Sequence, residues 1–345
     1  MQAQSVSVNR ERSGGLERPA ESPKAATRIG VLNNLCAGQN TAGVSRLISL
    51  LKGHPEIVHV ETEDCDSVFA VLSAFADQEV GLLVVNGGDG TLQHVLTTIL
   101  NGEVFERPPM VAPLRGGRTN MSATDIGCQR NPLKALAALV GAVRSGTLQD
   151  RIVDRAVLRV QIGPEWPVQY GMFCGFGVIS RAVEVVHRAF PPGRHSRGVL
   201  GAGLITSVLV ARGVMHSTSG LLTPDRMRIR LDGEQIAHDQ FLLVIATTLG
   251  RLFLRMRPFW GREPAPVRVT TIARSPHRAV ISAIGMLRGR PGRRVRPEGG
   301  YTSRNVHRAE LHIDCGVCID GELFPTRRDR VVQIEADRRV RFVRA

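Results

Sequence analysis

The stretch Leu82 to Thr98, LLVVNGGDGTLQHVLTT, constrains this chain more than any other. Leu82 to Val85 is an apolar run with the length and β-branched content of a buried strand. It breaks at Gly87, Gly88 and Gly90 around one acid, Asp89. After the break the period is helical, with Leu92, Val95, Leu96, Ile99 and Leu100 on one face. Glycines between a strand and a helix let the backbone approach a phosphate, and the free N–H groups at the helix start supply partial positive charge. The competing reading is a plain turn, because Asp-Gly is a strong hairpin signal. The helical period that follows argues against a hairpin, whose second strand would alternate.

At 345 residues the chain has room for two domains, each with its own core. Its formal charge of +14 and pI near 10.8 come mostly from arginine. Such a surface attracts nucleic acid, anionic lipid head groups or phosphorylated substrates. Two Tyr and two Trp make few stacking platforms for single strands, which disfavours nucleic acid as a partner. Cys36, Cys65, Cys128, Cys174, Cys315 and Cys318 are scattered and no signal-peptide pattern opens the sequence, so a reducing, cytoplasmic setting without disulfides is expected. Cys315 and Cys318 form a lone CxxC with neither a second pair nor a His pair nearby, and read as core residues rather than zinc ligands. The longest apolar run, Val199 to Ala211, falls short of the ~20 residues that cross a bilayer, so membrane contact is expected to be peripheral.

Residues 1–27 are polar and without period, and read as a disordered tail. Over 28–148 strand and helix alternate. Strands are expected at Arg28–Asn33, Ile57–Thr62, Leu82–Val85 and Met110–Pro113. Helices are expected at Thr41–Leu51, Cys65–Ala76 (burying Val68, Phe69, Leu72 and Phe75), Leu92–Leu100 and Pro132–Val143. This order predicts a doubly wound α/β domain with a parallel sheet. In such a sheet the strand-to-helix loops share one rim, so Asn33, Gly87–Thr91 and a second glycine-bearing loop, Gly116–Asn120, should converge. Over 149–326 alternating strands predict a mostly antiparallel, β-sandwich-like domain, with helices at Ser180–Phe190, Val199–Arg212 and Ala279–Leu287. Residues 327–345 read as a C-terminal hairpin or tail, and no internal repeat is visible.

Four features spread from about residue 28 to 325 resemble the diacylglycerol kinase catalytic-domain family, which includes sphingosine kinases and bacterial lipid kinases. The first is GGDGT at Gly87–Thr91, preceded by Asn86. The second is PLRGGRTNMSATDIG at Pro113–Gly127, similar to the family's P-x-G-T-x-N-D-x-A-R-x-L-G. The others are Asp154, where the family often opens its second domain, and Asp320-Gly321-Glu322, in the late position of its D-G-E. NAD kinases and other enzymes of the phosphofructokinase-like fold share GGDGT, but NAD kinases usually carry Asn-Asp in the second motif, and here Asn120 precedes Met121.

The resemblance implies a phosphofructokinase-like, nucleotide-binding domain over 28–148 and a lipid-substrate domain over 149–326. The ATP γ-phosphoryl would pass, in the cleft between them, to a hydroxyl of a diacylglycerol-like lipid. By that resemblance Gly87, Gly88, Asp89, Gly90 and Thr91 cradle the nucleotide phosphates. Gly116, Gly117, Arg118, Thr119 and Asn120 form a second nucleotide loop, and Asn33 belongs to the first. Asp320 is the candidate base, with Glu322 beside it. Asp154 is either a charge partner in the site or a turn residue. A carboxylate next to triphosphate needs a cation between them, so Asp89 implies Mg²⁺, directly or through water.

A twin of the late motif, Asp232-Gly233-Glu234, reads as a hairpin turn. Three departures stand out: Asn33–Gly38 lacks the N-P-x-S-G form, Gln93-His94-Val95 replaces N-E-V, and Arg118 replaces Thr. They keep open a non-catalytic nucleotide- or lipid-binding protein, while the shared GGDGT keeps open a kinase of a soluble acceptor. Two basic stretches, Arg251–Arg262 and Arg288–Arg308, suit peripheral contact with an anionic membrane. The alternatives are a core strand with solvated arginines for the first and a solvated loop for the second. Oligomeric state leaves no sign in the sequence.

Overall fold

The computed structural model describes residues 27–37, 40–62, 67–102, 104–189, 220, 222–274, 282, 285–293, 295–326 and 329–345. The expected tail, the expected helix at Val199–Arg212 and most of the one at Ala279–Leu287 lie outside the described residues.

Four strands run parallel in the order β4 (Met110–Arg115), β3 (Leu82–Gly87), β1 (Ile29–Asn34), β2 (Val58–Thr62). Helices cover both faces of this sheet, which is why β1, β3 and β4 are apolar almost without interruption. On one face α1 (Asn40–Lys52) and α5 (Pro132–Arg144) pack Leu47, Leu51, Leu136 and Leu139 against Val31, Val84 and Ala112. On the other, α2 (Val68–Asp77), α3 (Asp89–Leu100) and α4 (Met121–Ile126) pack Leu72, Phe75, Val95, Leu96 and Ile126 against Leu32, Leu83, Val85 and Val111. Phe69 corrects one expectation. It stands 59% exposed, because the buried stripe of α2 runs Val68, Val71, Leu72, Phe75 and Phe69 lies a quarter-turn off it. The start of α5 is written in Asn131-Pro132: Asn131 Oδ1 accepts from Leu133 N (2.9 Å) and Lys134 N (3.2 Å), and proline fills the first turn.

The later strands are antiparallel. They are β5 (Ile152–Ile162), β6 (Gln169–Gly171), β7 (Phe173–Gly177), β8 (Asp225–Leu231), β9 (Glu234–Gln235), β10 (Gln240–Thr247), β11 (Val267–Ala273), β12 (Tyr301–Val306), β13 (Arg308–Ile313), β14 (Val317–Ile319) and β15 (Glu322–Phe324). A helix, α6 (Val178–Ala189), follows β7. Their shared core includes Leu158, Phe176, Ile229, Phe241, Val269, Leu311 and Val317. Cys315 and Cys318 are buried and free, and burial pushes both thiols up to about 12, as expected of core residues. The antiparallel strands do not stand apart from the parallel sheet but continue it, in one path from β15 to β2.

The join is β16 (Arg330–Val343), which corrects the expected C-terminal hairpin. Asp337-Arg338-Arg339 looks like a turn but is part of one strand, next to a bulge between Glu335 and Arg338. The first half of β16 lies between β13 and β5. The second half lies between β5 and β4, where Phe342 pairs with Val111 in parallel. A second correction concerns Arg288–Arg308. Part of it is a strand, β12, pairing with β11 from Val267–Val306 to Ile272–Tyr301.

Candidate functional site

The three predicted loops meet at the C-terminal rim of the parallel strands. Asn86 Nδ2 donates to Asn33 Oδ1 (3.0 Å) and Asn34 Nδ2 to Thr91 Oγ1 (2.9 Å), tying the first loop to the second. Asn33 is fully buried and its Nδ2 has no partner among the described residues. Gly88 and Gly117 lie backbone to backbone, and a side chain on Gly117 would collide with the Gly88 Cα. Gly117 therefore does what no other residue could, bringing two phosphate-loop candidates into contact. Gly88 is the N-cap of α3 and no side chain caps that helix, so its first N–H groups face the rim. A hollow of about 10 Å³ lies beneath, lined by Gly87, Gly88, Asp89, Asn120 and Ala123, with room for about one water. Anything larger than a water would lie across this rim and not within it.

Asp89 is buried and occupied. Its Oδ2 accepts from Thr119 Oγ1 (2.7 Å) and Met121 N (3.0 Å), and its Oδ1 from Ser122 N (2.9 Å). It thus caps α4 from a neighbouring loop, while Asn120, the positional N-cap at φ 49°, folds back so that Gly117 N donates to its Oδ1 (2.8 Å) and its own Nδ2 donates to Gly117 O (2.7 Å). Three of roughly four lone-pair sites of the carboxylate are spent. No group of three His, Cys, Asp or Glu that could hold a metal occurs among the described residues. Asp89, expected to face Mg²⁺ directly or through water, keeps about one lone-pair site beyond these three bonds. Gly116 is buried, Arg118 partly buried and Thr119 exposed on the same loop.

The late motif arrives from the antiparallel region. Asp320 and Gly321, at φ 47° and 97°, form the two-residue turn between β14 and β15, with Ile319 paired to Glu322. The turn reading holds, and the same turn packs against the start of α3. Asp320 is 4% exposed, its Oδ2 accepting from Met172 N (2.7 Å) and its Oδ1 from Phe173 N (3.0 Å), while its own N–H donates to Phe173 O (2.9 Å). Gly171 leaves the space: a methyl there would lie 2.5 Å from Asp320 Oδ2. Burial pushes the Asp320 carboxyl well above the usual carboxylate range, and the negative charge of Asp89 adds to the push against the two N–H bonds. Glu322 reaches the second residue of α3, where a side chain on Gly90 would collide with its Oε1. Asp89, Gly90, Asp320 and Glu322 therefore form one cluster across the two regions.

Asp154 does not join them. It lies half-exposed at the level of the N-terminal end of β4, with Arg339 Nε 2.9 Å from its Oδ2. Sequence reasoning missed Met172 and Phe173, which act through main-chain N–H groups that no residue type announces. It also missed the seam that holds the cluster together. Gln93 Nε2 donates to Gln169 Oε1 (3.0 Å), Tyr170 N to Thr97 Oγ1 (2.9 Å) and Asn101 Nδ2 to Val168 O (3.1 Å), sealing β6 against α3. Gln93 is one of the departures noted above, and here it bridges the regions.

Residues 28–148 match the diacylglycerol kinase catalytic domain. Two solved structures from Bacillus anthracis str. Sterne share the fold. One, a diacylglycerol kinase candidate, has a TM-score of 0.64 at 15% identity over 94% of this chain and 99% of that chain. The other, described as a diacylglycerol kinase, has a TM-score of 0.59 at 15% identity over 94% and 98%. At this identity the likeness is one of fold alone. No curated protein matches the chain.

Proposed function

From the membership of residues 28–148 in the diacylglycerol kinase catalytic-domain family, we propose that the chain is an ATP-dependent kinase acting on a hydroxyl of a diacylglycerol-like lipid, with transfer at the junction of the parallel and antiparallel regions. The observation that carries this reading is the cluster in which Asp320 and Glu322 face Gly90 and Asp89 at the start of α3. The glycine loops and the uncapped start of α3 receive the phosphates. The acceptor hydroxyl gives its proton to Asp320 as its oxygen bonds to the γ-phosphorus, and the bond to the β–γ bridging oxygen breaks to release ADP. A carboxylate whose proton affinity is raised suits this step better than an ordinary one.

Asp89 positions: it holds α4 and the second loop in place. Magnesium would enter as part of the Mg·ATP substrate and neutralise phosphate charge, with Asp89 as the carboxylate that would face it, directly or through water. In phosphoryl transfer most of the rate comes from positioning and charge neutralisation, so loop geometry should matter at least as much as the base.

The test is transfer of label from γ-labelled ATP to a lipid extract and, in parallel, to an aqueous metabolite extract. Label in the lipid phase is expected. Label only in aqueous products would replace this reading with a soluble-acceptor kinase, and no label in either would leave a nucleotide- or lipid-binding protein.

A further inference from the structure

We propose that the segment Arg251–Arg262, folded against the turn after Met286, is a docking surface for an anionic lipid bilayer. The inference takes its purpose from the lipid-kinase reading but rests on separate observations. The segment is not a core strand. It holds a single 3-10 turn at Phe253–Arg255, closed by Leu252 N to Met256 O at 2.8 Å. Leu254 and Arg255 sit at φ 54° and 60°, a left-handed pair in which glycine or asparagine would be the undemanding choice. Leu254 at that tip is 68% exposed. The segment is joined to the second basic stretch by Arg257 N to Leu287 O (2.8 Å), and a methyl on Gly289 would lie 2.8 Å from Arg257 O. Leu287 is itself 43% exposed.

One exposed leucine is ordinary. Two, on segments bonded to each other and flanked by exposed Arg255, Arg257, Arg288 and Arg290, match what an interface with anionic lipid requires: leucine enters the acyl boundary and arginine stays at the phosphates. None of these four arginines has a carboxylate partner among the described residues. Phe259 and Trp260 are only partly exposed and pack on the protein's own cores, so the leucines carry the insertion. The surface also adjoins the site. The residues just before it bond to Met172 O, from Thr248 N (3.1 Å) and Thr247 Oγ1 (2.6 Å), and Met172 N is a donor to Asp320. A bilayer at this face would lie beside the candidate base.

The test is cosedimentation of the full chain with phosphatidylcholine vesicles, with and without phosphatidylglycerol, at low and high salt. Binding only to phosphatidylglycerol vesicles, weakened by salt, is expected. Leu254→Ser should lower the partition coefficient about tenfold, and the pair Arg255→Ala with Arg257→Ala by about tenfold or more. Transfer to a short-chain, water-soluble diacylglycerol without vesicles should be unchanged in both variants. Equal binding to phosphatidylcholine alone, binding that neither variant lowers, or self-association or DNA retention without vesicle binding would overturn the docking surface. Turnover on the short-chain acceptor without vesicle binding refutes docking and spares the kinase, while vesicle binding without any turnover does the reverse.

Discussion

The chain contains Asp-Gly-Glu twice, and both copies fold the same way. Asp232-Gly233, at φ 49° and 85°, turns β8 into β9 with Leu231 paired to Glu234, as Asp320-Gly321 turns β14 into β15 with Ile319 paired to Glu322. Each aspartate hooks two successive main-chain N–H groups of a neighbouring strand: His307 (3.0 Å) and Arg308 (2.8 Å) for Asp232, Met172 and Phe173 for Asp320. Each turn N–H donates back to the carbonyl of the second residue hooked, Arg308 O and Phe173 O, both at 2.9 Å. The difference lies in the surroundings. Asp232 is exposed and Glu234 pairs with Arg304 at 2.6 Å, whereas Asp320 is buried beside Asp89 and Glu322 meets Gly90. The hydrogen-bond clamp is thus a structural device common to both copies, and only one of them is packed against α3.

The twin is an internal control. Asp320→Asn and Asp232→Asn disturb the same clamp, so each should lose about 1 kcal/mol of stability from it. Only the first should lower phosphoryl transfer, by roughly 10²–10⁴-fold. Equal activity in the two variants, measured with labelled ATP, would break the comparison. Next in size, Gly90→Ala should cut turnover about tenfold by displacing Glu322 while leaving the melting temperature near wild type, since alanine suits a helix better than glycine. Gly233→Ala, with φ at 85° and open space around it, should do the opposite: a loss of ~1–2 kcal/mol with activity intact.

The pH dependence of the buried copy is a gentler probe. The carboxyl of Asp320 is raised in the folded state, so its contribution is fully present below the unfolded value near 3.8 and is lost as pH climbs through the folded value. The melting temperature of Asp320→Asn minus that of wild type should therefore increase with pH across that window, by a few degrees at most. Smallest of all, Glu234→Gln removes an exposed ion pair and should change stability by ~0–1 kcal/mol, with turnover unaffected.

How far the sequence foretold this site follows from the kind of signal each part carries. Apolar runs and helical period located β1, β3, β4, α3 and α5, and the rim argument brought Asn33, Gly87–Thr91 and Gly116–Asn120 together from topology alone. That Asp89 also caps α4 was not legible, because its partners, Met121 N and Ser122 N, are main-chain groups of a helix that is close only in space. Asp154 was ambiguous from position, and its exposure settles it as a surface partner of Arg339. The strand β12 escaped notice because only Tyr301 and Val306 of its residues are buried, leaving no alternation to read. The strand β16 read as a hairpin because a charged trio interrupts its apolar residues, and a bulge can carry such a trio where a turn would.

That last strand has a consequence for how the molecule comes into being. The edge of the parallel sheet at β4 is covered by Phe342, a partner separated from Val111 by most of the chain. Until β16 emerges from the ribosome, β4 presents an open edge, and β5 and β13 lack the strand that lies between them. The parallel half can therefore collapse early but cannot finish, and the slowest loop closure in the molecule completes both halves at once. A nascent chain halted before Arg330 should be a client for chaperones and not a working half-enzyme.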